Sequence, residues 1–436
     1  MHEKNLSGVT NLHGAWHFIA EQMQEFGTCE ETDAWKEVLS YLLKHGNEKQ
    51  IQILADGAFG IKRENLLDRE VANELYGNVD GSISRLEKYA ACAYSHFLNY
   101  GLKLMERKEH QVEAADLGNM YHGALDYISN EIKNRGLSWK ALDDAVTGEL
   151  IEDAVKVVGT QFKETAINSS ARNRYLLSKI KQVTKRTVWA IASQLKHGDF
   201  EPYATEFSIW NGRVDRVDLY ETDDTVYVKI VDYKTGKKEF SLDEIYEGLQ
   251  IQLTSYMQSV IDKIQQEKKG KFVCPGAMFY YQIKDPFVSQ AVMEDKEMYL
   301  KEFMPSGLVS SKTEVIKALD AQAEGGASNV MKVAYKKDGN FTAASSVATP
   351  EQFRSLMRFV ASKKADLNEE IKEGRIDVNP YKEGQKTPCN YCKYRFICGF
   401  DPKLPGNEYR RLMKLKKEEL WEKIQEGGEG GSTVDE

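Results

Sequence analysis

The sequence lacks any apolar run long enough to cross a membrane. Its 436 residues are 41% hydrophobic and 29% charged, and no apolar run approaches the roughly 20 residues that span a bilayer. The first residues, MHEKNLSGVTNLHG, also lack the apolar stretch of a secretory signal. We therefore expect a globular, cytoplasmic protein without a membrane partner, with room for one large domain or two to three ordinary ones.

Two further absences exclude other classes of protein. Six cysteines in a chain of this length, with no export signal, do not make a disulfide scaffold. The phosphate-binding pattern G-x-x-x-x-G-K-[ST] does not occur, so we expect no ATP hydrolysis by that route. The sequence also shows no internal repeat.

Positive charge is not in excess, since the formal net charge is −8. This charge argues against a protein that coats nucleic acid nonspecifically, yet DNA binding needs only a local basic surface. One stretch without acids carries the basic residues Arg172, Arg174, Lys179, Lys181, Lys185, Arg186 and Lys196. Interleaved apolar residues predict an amphipathic helix there, whose cationic face is either a DNA-binding surface or an ordinary solvated one.

Helical patterns dominate the first half of the chain. Residues 1 to about 80 look helical, and Thr32 and Gly46 are candidate ends of the helix DAWKEVLSYLLKHG. Ser84 and Glu87 form a capping-box pattern that opens a long helix carrying Cys92. Further helices are expected at about 111–134, 148–166 and 172–196.

Near residue 203 the pattern changes to that of strands, through ATEFSIW, NGRVDRVDLY and TVYVKIVDYK. A helix from Leu242 to about Lys268 and a buried strand, FVCPGAMFYYQI, follow. Asp338 and Gly339 indicate a hairpin turn, and Thr349 to Gln352 open a helix that ends near Gly374. The tail EGGEGGSTVDE has the composition of a disordered end.

The runs GRVDRVDLY and VDYKTG carry the most specific signal. In an antiparallel hairpin closed by residues 221–224, Tyr220 would face Thr225 and Asp215 would lie opposite Ile230, diagonal to Asp232. Asp215, Asp232 and Lys234 would then end an otherwise apolar face. Asp218 would face away and form a salt bridge.

Charges at the end of an apolar face are costly unless a partner compensates them. A divalent cation with oxygen ligands, bound by Asp215 and Asp232, is the natural partner. Lys234 could orient or help deprotonate the attacking water and stabilise charge on a phosphate. The alternative is a surface hairpin with ordinary exposed acids and lysines.

Two neighbouring patterns favour the metal site. Gln252 and Tyr256 lie four residues apart in a predicted helix and share a face, where they could contact a phosphate or the lysine. His122 stands in a helical stretch beside Gly123. A lone histidine is more often structural, but with these partners we interpret it as a metal ligand.

Cys389, Cys392 and Cys398 form C-x2-C-x5-C in a loop-rich segment. Three close cysteines require a fourth soft ligand, and Cys29, Cys92 and Cys274 are the candidates upstream. Of these, Cys92 precedes all the candidate metal-site residues and Cys389 follows them, so a cluster joining Cys92 to the other three would close the domain like a clasp. Thiolates suit zinc or an iron–sulfur cluster, and their spacing leaves both open.

Seven motifs follow one another along the chain: ISRLEKYAACAYSHFLNYGLKL, DLGNMYHGALD, GRVDRVD, VDYKTG, LQIQLTSY, KKDGN and TPCNYCKYRFICGFD. In this order they resemble the AddB family of bacterial helicase/deoxyribonuclease subunits, and the likeness runs from about Leu75 to Arg411. The resemblance implies an α/β fold with a PD-(D/E)XK (RecB-like) nuclease core, a mixed sheet flanked by helices and a 4Fe-4S clasp. It also implies Mg²⁺ as the catalytic ion.

The resemblance also implies roles for individual residues. His122, Asp215, Asp232 and the backbone carbonyl of Tyr233 would hold the metal, Lys234 would be catalytic, and Gln252 and Tyr256 would complete the motif. The cluster would bind to Cys92, Cys389, Cys392 and Cys398. The domains expected are a helical segment at 1–80, the clasped nuclease at 81–411 and a helical, then disordered, tail at 412–436.

The implied function is an exonuclease that cuts the 5′-ended single strand of DNA during recombinational repair of double-strand breaks, beside an AddA-like helicase/nuclease subunit. Family members carry a long helicase-like N-terminal region that this chain lacks, so we expect a fragment or a truncated gene product without unwinding activity. One alternative is a catalytically silent module that binds DNA ends. A smaller relative used in CRISPR spacer acquisition is the other, which the flanking helices disfavour.

Overall fold

A computed structural model describes most of the chain. The described residues are 9–24, 33–59, 65–77, 82–105, 114–161, 171–210, 212–323, 326–404 and 406–429. Thr32 and Cys29 therefore lie outside them. No helix within these ranges is both long and apolar enough to cross a membrane.

A mixed six-stranded sheet forms the centre of the fold, with the strands in sequence order from β1 to β6. Strands β3 and β4 are parallel, as are β5 and β6, and the other neighbours are antiparallel. The strands are β1 (Glu201–Ile209), β2 (Gly212–Glu221), β3 (Thr225–Lys234), β4 (Phe272–Gln282), β5 (Ser306–Ser310) and β6 (Val347–Ala348), and a separate parallel pair is β7 (Tyr381–Lys382) and β8 (Arg410–Arg411). The expected α/β fold with a mixed sheet is confirmed.

Helices precede the sheet and cover its two faces. Those before it are α1 (Leu12–Gln24), α2 (Asp33–His45), α3 (Glu48–Phe59), α4 (Arg69–Tyr76), α5 (Ile83–Ala91), α6 (Ala93–His96), α7 (Ala114–Asn134), α8 (Asp144–Gln161) and α9 (Ala171–Lys196). The later ones are α10 (Leu242–Tyr246), α11 (Gln252–Glu267), α12 (Gln290–Glu294), α13 (Lys296–Lys301), α14 (Thr313–Leu319), α15 (Pro350–Lys372), α16 (Arg395–Cys398) and α17 (Lys417–Glu429).

Two apolar cores lie on opposite faces of the sheet. One contains Tyr227 and Val231 of β3 and residues of α7, α8 and α9. The other contains Val228 and Ile230 of the same strand and residues of α5, α11, α15 and α17. Because alternate residues of a strand point to opposite faces, β3 is buried on both sides.

The first three helices have a small apolar cluster of their own, around Ile19 and Leu42. The helical character expected for this segment is confirmed in its described part. Helix α4 packs differently, since Ala72 and Tyr76 join the second core of the sheet. The expected domain boundaries at residues 80/81 and 411/412 stay predictions.

The long helix expected from Ser84 onward is interrupted. Helix α5 begins at Ile83, and its N-cap is Ser82, two residues before the predicted cap and without a side-chain capping bond, so the capping box at Ser84 is wrong. Glu87 instead accepts a hydrogen bond from the backbone N–H of Gln252 at 3.0 Å. Cys92 then breaks the helix with extended angles, and a π-helical turn at Phe97–Gly101 follows α6.

The helix expected from Leu242 to Lys268 is also two helices. Residues 247–251 separate α10 from α11, and Gly248 lies there with a φ of 79°. A Cβ atom at this position would approach Ala90 and Leu367 to 3.3 Å each. The break turns the chain so that Gln252 begins its own helix.

The hairpin of β2 and β3 differs in register from the prediction. Tyr220 pairs with Tyr227 and Val217 with Ile230, two residues away from the expected partners. The Thr222 backbone N–H donates to the Thr225 carbonyl at 2.8 Å, so the turn is closed by residues 222–225, one residue later along the chain than expected. A shift of two keeps Val217 and Leu219 on their predicted face, in the core that also holds Val226, Val228 and Ile230. Val214 belongs to the same core, so the alternation of β2 is interrupted between Val214 and Val217, and the predicted placement of Asp215 on the face of Val217 is wrong.

Other local predictions hold. Thr349 and Gln352 form the complete capping box of α15, and Gly374, with a φ of 85°, follows its end. Helix α9 has the bounds expected within one residue. The Asp338–Gly339 turn makes an isolated bridge between Tyr335 and Phe341 and forms no longer ladder.

Candidate metal centre and thiol cluster

Two strands and one helix bring three ligand-type side chains together. His122 comes from α7, Glu206 from β1 and Asp215 from β2, and their ligand atoms all lie within 4.8 Å of one another. All three side chains are partly buried. Two carboxylates and one imidazole at this spacing suit a divalent cation, because one such ion can bind all three groups at once.

Asp215 is the most connected member of the group. Its Oδ1 lies 3.2 Å from His122 Nδ1, and its Oδ2 accepts a hydrogen bond of 2.5 Å from the backbone N–H of Tyr233. Burial by itself lowers the pKa of His122, but the bond to Asp215 outweighs it and raises that pKa. The structure therefore brings His122 and Asp215 together, and the Tyr233 group that contacts Asp215 is its backbone N–H, whereas the resemblance implies the carbonyl as a metal ligand.

Asp232 and Lys234 form an ion pair beside this group. The Asp232 carboxyl is 3% exposed, and burial raises its pKa to about 6 although the Lys234 charge opposes the shift. A buried acid with a raised pKa is typical of a functional site, because a nearby cation is needed to keep the buried carboxyl group ionised. Asp232 lies outside the group of three within 4.8 Å.

Gln252 and Tyr256 extend the same chain of contacts. Lys234 Nζ donates to Gln252 Oε1 at 3.2 Å, and Gln252 Nε2 donates to the Tyr256 hydroxyl at 3.1 Å. Both residues lie on α11, four positions apart, so they share one face of the helix. The structure thus connects the lysine to the glutamine and the glutamine to the tyrosine.

Glu206 is a site residue that the sequence analysis did not identify. It is a non-glycine residue with a φ of 46°, a strained conformation of the kind found at functional sites. Burial and the nearby charge of Asp215 raise its pKa, while Arg213 opposes the rise. Strand alternation does not predict where a residue with such an angle points, so no sequence pattern signalled it.

A buried charge cluster lies next to the site, on β2 and β3. Arg216 donates two hydrogen bonds to Asp218, at 2.6 and 2.9 Å, and Lys229 Nζ lies 2.7 Å from the same carboxylate. Asp218 is fully buried. The predicted salt bridge of Asp218 is confirmed.

The four cysteines expected to bind a cluster line one cavity of about 520 Å³. Cys92 reaches it from the break after α5, and Cys389, Cys392 and Cys398 come from the loop beyond α15. Burial raises the pKa of Cys92 to about 11, with the other thiols adding to the rise. Four thiols around one cavity fit a thiolate-bound metal group, whose charge would stabilise the deprotonated sulfurs.

Protein contacts also join the two cysteine-bearing segments. The backbone N–H of Ala93 donates to Asn379 Oδ1 at 2.9 Å. The Tyr394 hydroxyl lies 2.8 Å from Asn99 Oδ1 and 2.9 Å from the Leu104 carbonyl oxygen, and either oxygen can accept its hydrogen bond. The remaining described cysteine, Cys274, lies apart from this cavity on β4.

Part of the cationic face of α9 is already neutralised. Lys179 and Arg186 pair with Asp285, and Lys181 pairs with Glu152. The amphipathic helix is confirmed, because Ile180, Val183, Val188 and Ile191 are buried. For the paired residues, the ordinary surface interpretation is the better one.

Comparison with known proteins agrees with this site. The PD-(D/E)XK nuclease superfamily matches residues 81–399, and the chain belongs to that superfamily. Its relatives include the B subunit of an ATP-dependent helicase/deoxyribonuclease. The relative in Lachnoclostridium phytofermentans is 36% identical over 421 residues, which are 92% of this chain and 36% of the relative.

Two further relatives of the same name are similarly close. The protein of Alkaliphilus oremlandii is 32% identical over 91% of this chain and 37% of its own length. That of Clostridium perfringens is 33% identical over 93% of this chain and 38% of its own length. The chain thus spans a little over a third of the relatives that it matches, and the resemblance to this subunit is confirmed.

Proposed function

We propose that this chain is a Mg²⁺-dependent deoxyribonuclease domain of a helicase–nuclease that repairs double-strand breaks by recombination. The observation that carries the proposal is the meeting of His122, Glu206 and Asp215 within 4.8 Å, beside the Asp232–Lys234 pair. A carboxylate-rich site with an adjacent ammonium group is suited to hydrolysis of a phosphodiester bond.

In this proposal, His122, Asp215 and Asp232 hold the ion, as does the Tyr233 carbonyl, and Glu206 joins them. When bound, the ion would supply Lewis-acid stabilisation of charge on the phosphate. Lys234 is held between Asp232 and Gln252, where it can orient the attacking water and stabilise developing negative charge. Tyr256 fixes Gln252 through its hydroxyl.

We further propose that Cys92, Cys389, Cys392 and Cys398 bind a 4Fe-4S cluster rather than zinc. Among the described residues, only the group of His122, Glu206 and Asp215 has three His, Cys, Asp or Glu ligand atoms that all lie within 4.8 Å of one another, so no three of these thiols lie that close together. A tetrahedral zinc ion with bonds of about 2.3 Å needs sulfurs about 3.8 Å apart. In a cluster, each thiolate binds a separate iron atom, and wider spacing follows.

The biological setting is inferred from the relatives. They are named as subunits of an ATP-dependent helicase/deoxyribonuclease, which supports DNA ends as the substrate and an AddA-like helicase/nuclease as the partner. Cleavage of the 5′-ended single strand and a cytoplasmic location follow from the resemblance and from the sequence, and both stay predictions. No contact in the described residues favours the silent DNA-end-binding module.

The test is cleavage of end-labelled single-stranded and duplex DNA by the 436-residue chain in Mg²⁺. Asp215→Asn and Lys234→Ala should each lower kcat by about 100-fold or more, because charge stabilisation in the transition state is lost. Asp262→Asn is the matched control, since this exposed acid on α11 contacts Gln258 and lies outside the site. Undiminished cleavage by Asp215→Asn would refute the proposed site.

A further inference from the structure

A cavity of about 680 Å³ opens beside the three candidate ligands, and its charge is mostly negative. It is lined by the acids Asp126, Glu131, Glu206 and Asp215. Arg213 is the one arginine or lysine among its lining residues in the described part of the chain. A DNA phosphate that enters such a cavity meets repulsion from the carboxylates unless cations offset them.

Two of the acids have partners of their own. Asp126 accepts a hydrogen bond of 2.7 Å from Thr205, and Glu131 pairs at 3.0 Å with Arg135, the residue that follows the end of α7. Glu206 and Asp215 are the two that share the candidate metal position. The electrostatics of phosphate entry therefore depend on this position and on Arg213.

Arg213 is attached to the site through Glu206. Its Nε lies 3.0 Å from Glu206 Oε2, and its side chain is 65% exposed while that of Glu206 is 24% exposed. The two residues lie on neighbouring strands, close to the hairpin that joins β1 to β2. An exposed guanidinium held by a single ion pair can change partner at little cost.

Two cations compete for the Glu206 carboxylate, the Arg213 guanidinium and a divalent ion. A divalent ion at His122, Glu206 and Asp215 would attract the charge of Glu206 and weaken its bond to Arg213. The guanidinium would then be free at the edge of the cavity, and its planar set of donors matches the oxygens of a phosphate.

We propose that Arg213 is a phosphate-binding residue of this site, and that Glu206 holds its guanidinium until a divalent ion occupies the site. The inference rests on the proposed nuclease function. It makes metal binding a precondition for full DNA binding, because one event neutralises the carboxylates and releases the arginine. Arg213 thus positions the DNA strand relative to the metal ligands.

The experiment uses the 436-residue chain and its Arg213→Ala and Arg213→Lys variants. Calorimetric titration with Mg²⁺ in the absence of DNA should show about threefold tighter binding by Arg213→Ala, because the competitor for Glu206 is gone. In cleavage of a single-stranded oligonucleotide, kcat/KM should fall about tenfold. The slope of log kcat/KM against log salt should become shallower by about 0.7 to 1.

Arg213→Lys should restore the salt slope but only part of the rate, since lysine keeps the charge and loses the planar fork. Arg354→Ala is the control, because this exposed arginine pairs with Glu351 on α15, and all three quantities should match the unchanged chain. An unchanged salt slope, or a Mg²⁺ affinity that does not rise, overturns the inference. If the unchanged chain cuts no DNA, the proposed nuclease function fails first and this inference with it.

Discussion

At the scale of single residues, the site depends on charges that compensate one another. Asp232 is buried against Lys234, and Asp218 is buried between Arg216 and Lys229. A buried charge is stable only while its partner remains, and the loss of one partner costs more than the pair contributes. The residue type at each of these positions therefore limits the residue types that its partner positions can hold.

Asp218 gives a direct test of that constraint. Asp218→Asn leaves Arg216 and Lys229 buried without their counter-charge, and the free energy of unfolding should fall by about 3–5 kcal/mol. Urea unfolding monitored by circular dichroism measures it. Asp153→Asn removes a partly exposed partner of Lys156 and should cost less than about 1 kcal/mol. Equal losses in the two variants would contradict the argument.

The same carboxylate predicts a dependence of stability on pH. Burial alone would raise the pKa of Asp218, but the charges of Arg216 and Lys229 outweigh it and hold that pKa below its ordinary value. A lowered pKa in the folded state contributes stability above the ordinary value of about 3.8, and that stability is lost as the pH falls further. Asp218→Asn should therefore show a shallower loss of stability in acid, measured by melting between about pH 5 and about pH 2. A loss as steep as that of the unchanged chain would exclude Asp218 as a cause.

At the scale of elements, interruptions of helices position the functional groups. Cys92 occupies the break after α5, and Gln252 begins α11 after the break at Gly248. The Glu87 carboxylate of α5 accepts the first N–H of α11, which ties the cysteine-bearing region to the helix that carries Gln252 and Tyr256. A substitution at one of the four cysteines should therefore also affect Gln252 and Tyr256 of the candidate metal site through α5.

Loss of one thiol should remove the cluster and destabilise the fold. In anaerobically prepared protein, Cys92→Ala should lose iron, sulfide and the visible absorbance together, because four thiolates are needed to hold the cluster. Its melting temperature should also fall, since the energy of metal binding contributes to folding. Cys274→Ala is the matched control and should keep full iron content. Iron-free Cys92→Ala that melts at the unchanged temperature would argue against a structural clasp.

At the scale of the whole molecule, the last helix completes the second core. Leu420, Trp421 and Ile424 of α17 are buried in it, and α17 packs along α15. This tail segment therefore contributes to the body that carries the site, although it follows the last cysteine.

Truncation of the buried indole tests this contribution. Trp421 is 5% exposed, and Trp421→Ala should lower the free energy of unfolding by about 3–5 kcal/mol through the cavity that it leaves. Thermal unfolding measures the change. Met413→Ala, at an exposed position a few residues earlier, should alter it by less than about 0.5 kcal/mol. A stable Trp421→Ala chain would show that α17 is dispensable.

The sequence alone indicated the candidate site residues and determined much of the local structure. Alternation placed Asp232 and Lys234 at the end of an apolar strand, and the spacing of Gln252 and Tyr256 placed both on one helical face, because both periods are local properties of the backbone. The capping residues of α15 were readable for the same reason. The resemblance then linked the distant Cys92 to the three later cysteines.

Only the tertiary structure decided the register in which the strands pair and the full set of candidate metal ligands. The hairpin register depended on the turn at Thr222–Thr225, and the helix breaks at Cys92 and Gly248 depended on contacts with distant segments. Glu206 joined the site because a positive φ and the packing of β1 against β2 aim it there. Such features arise from contacts between residues far apart in the chain, and local patterns do not record them.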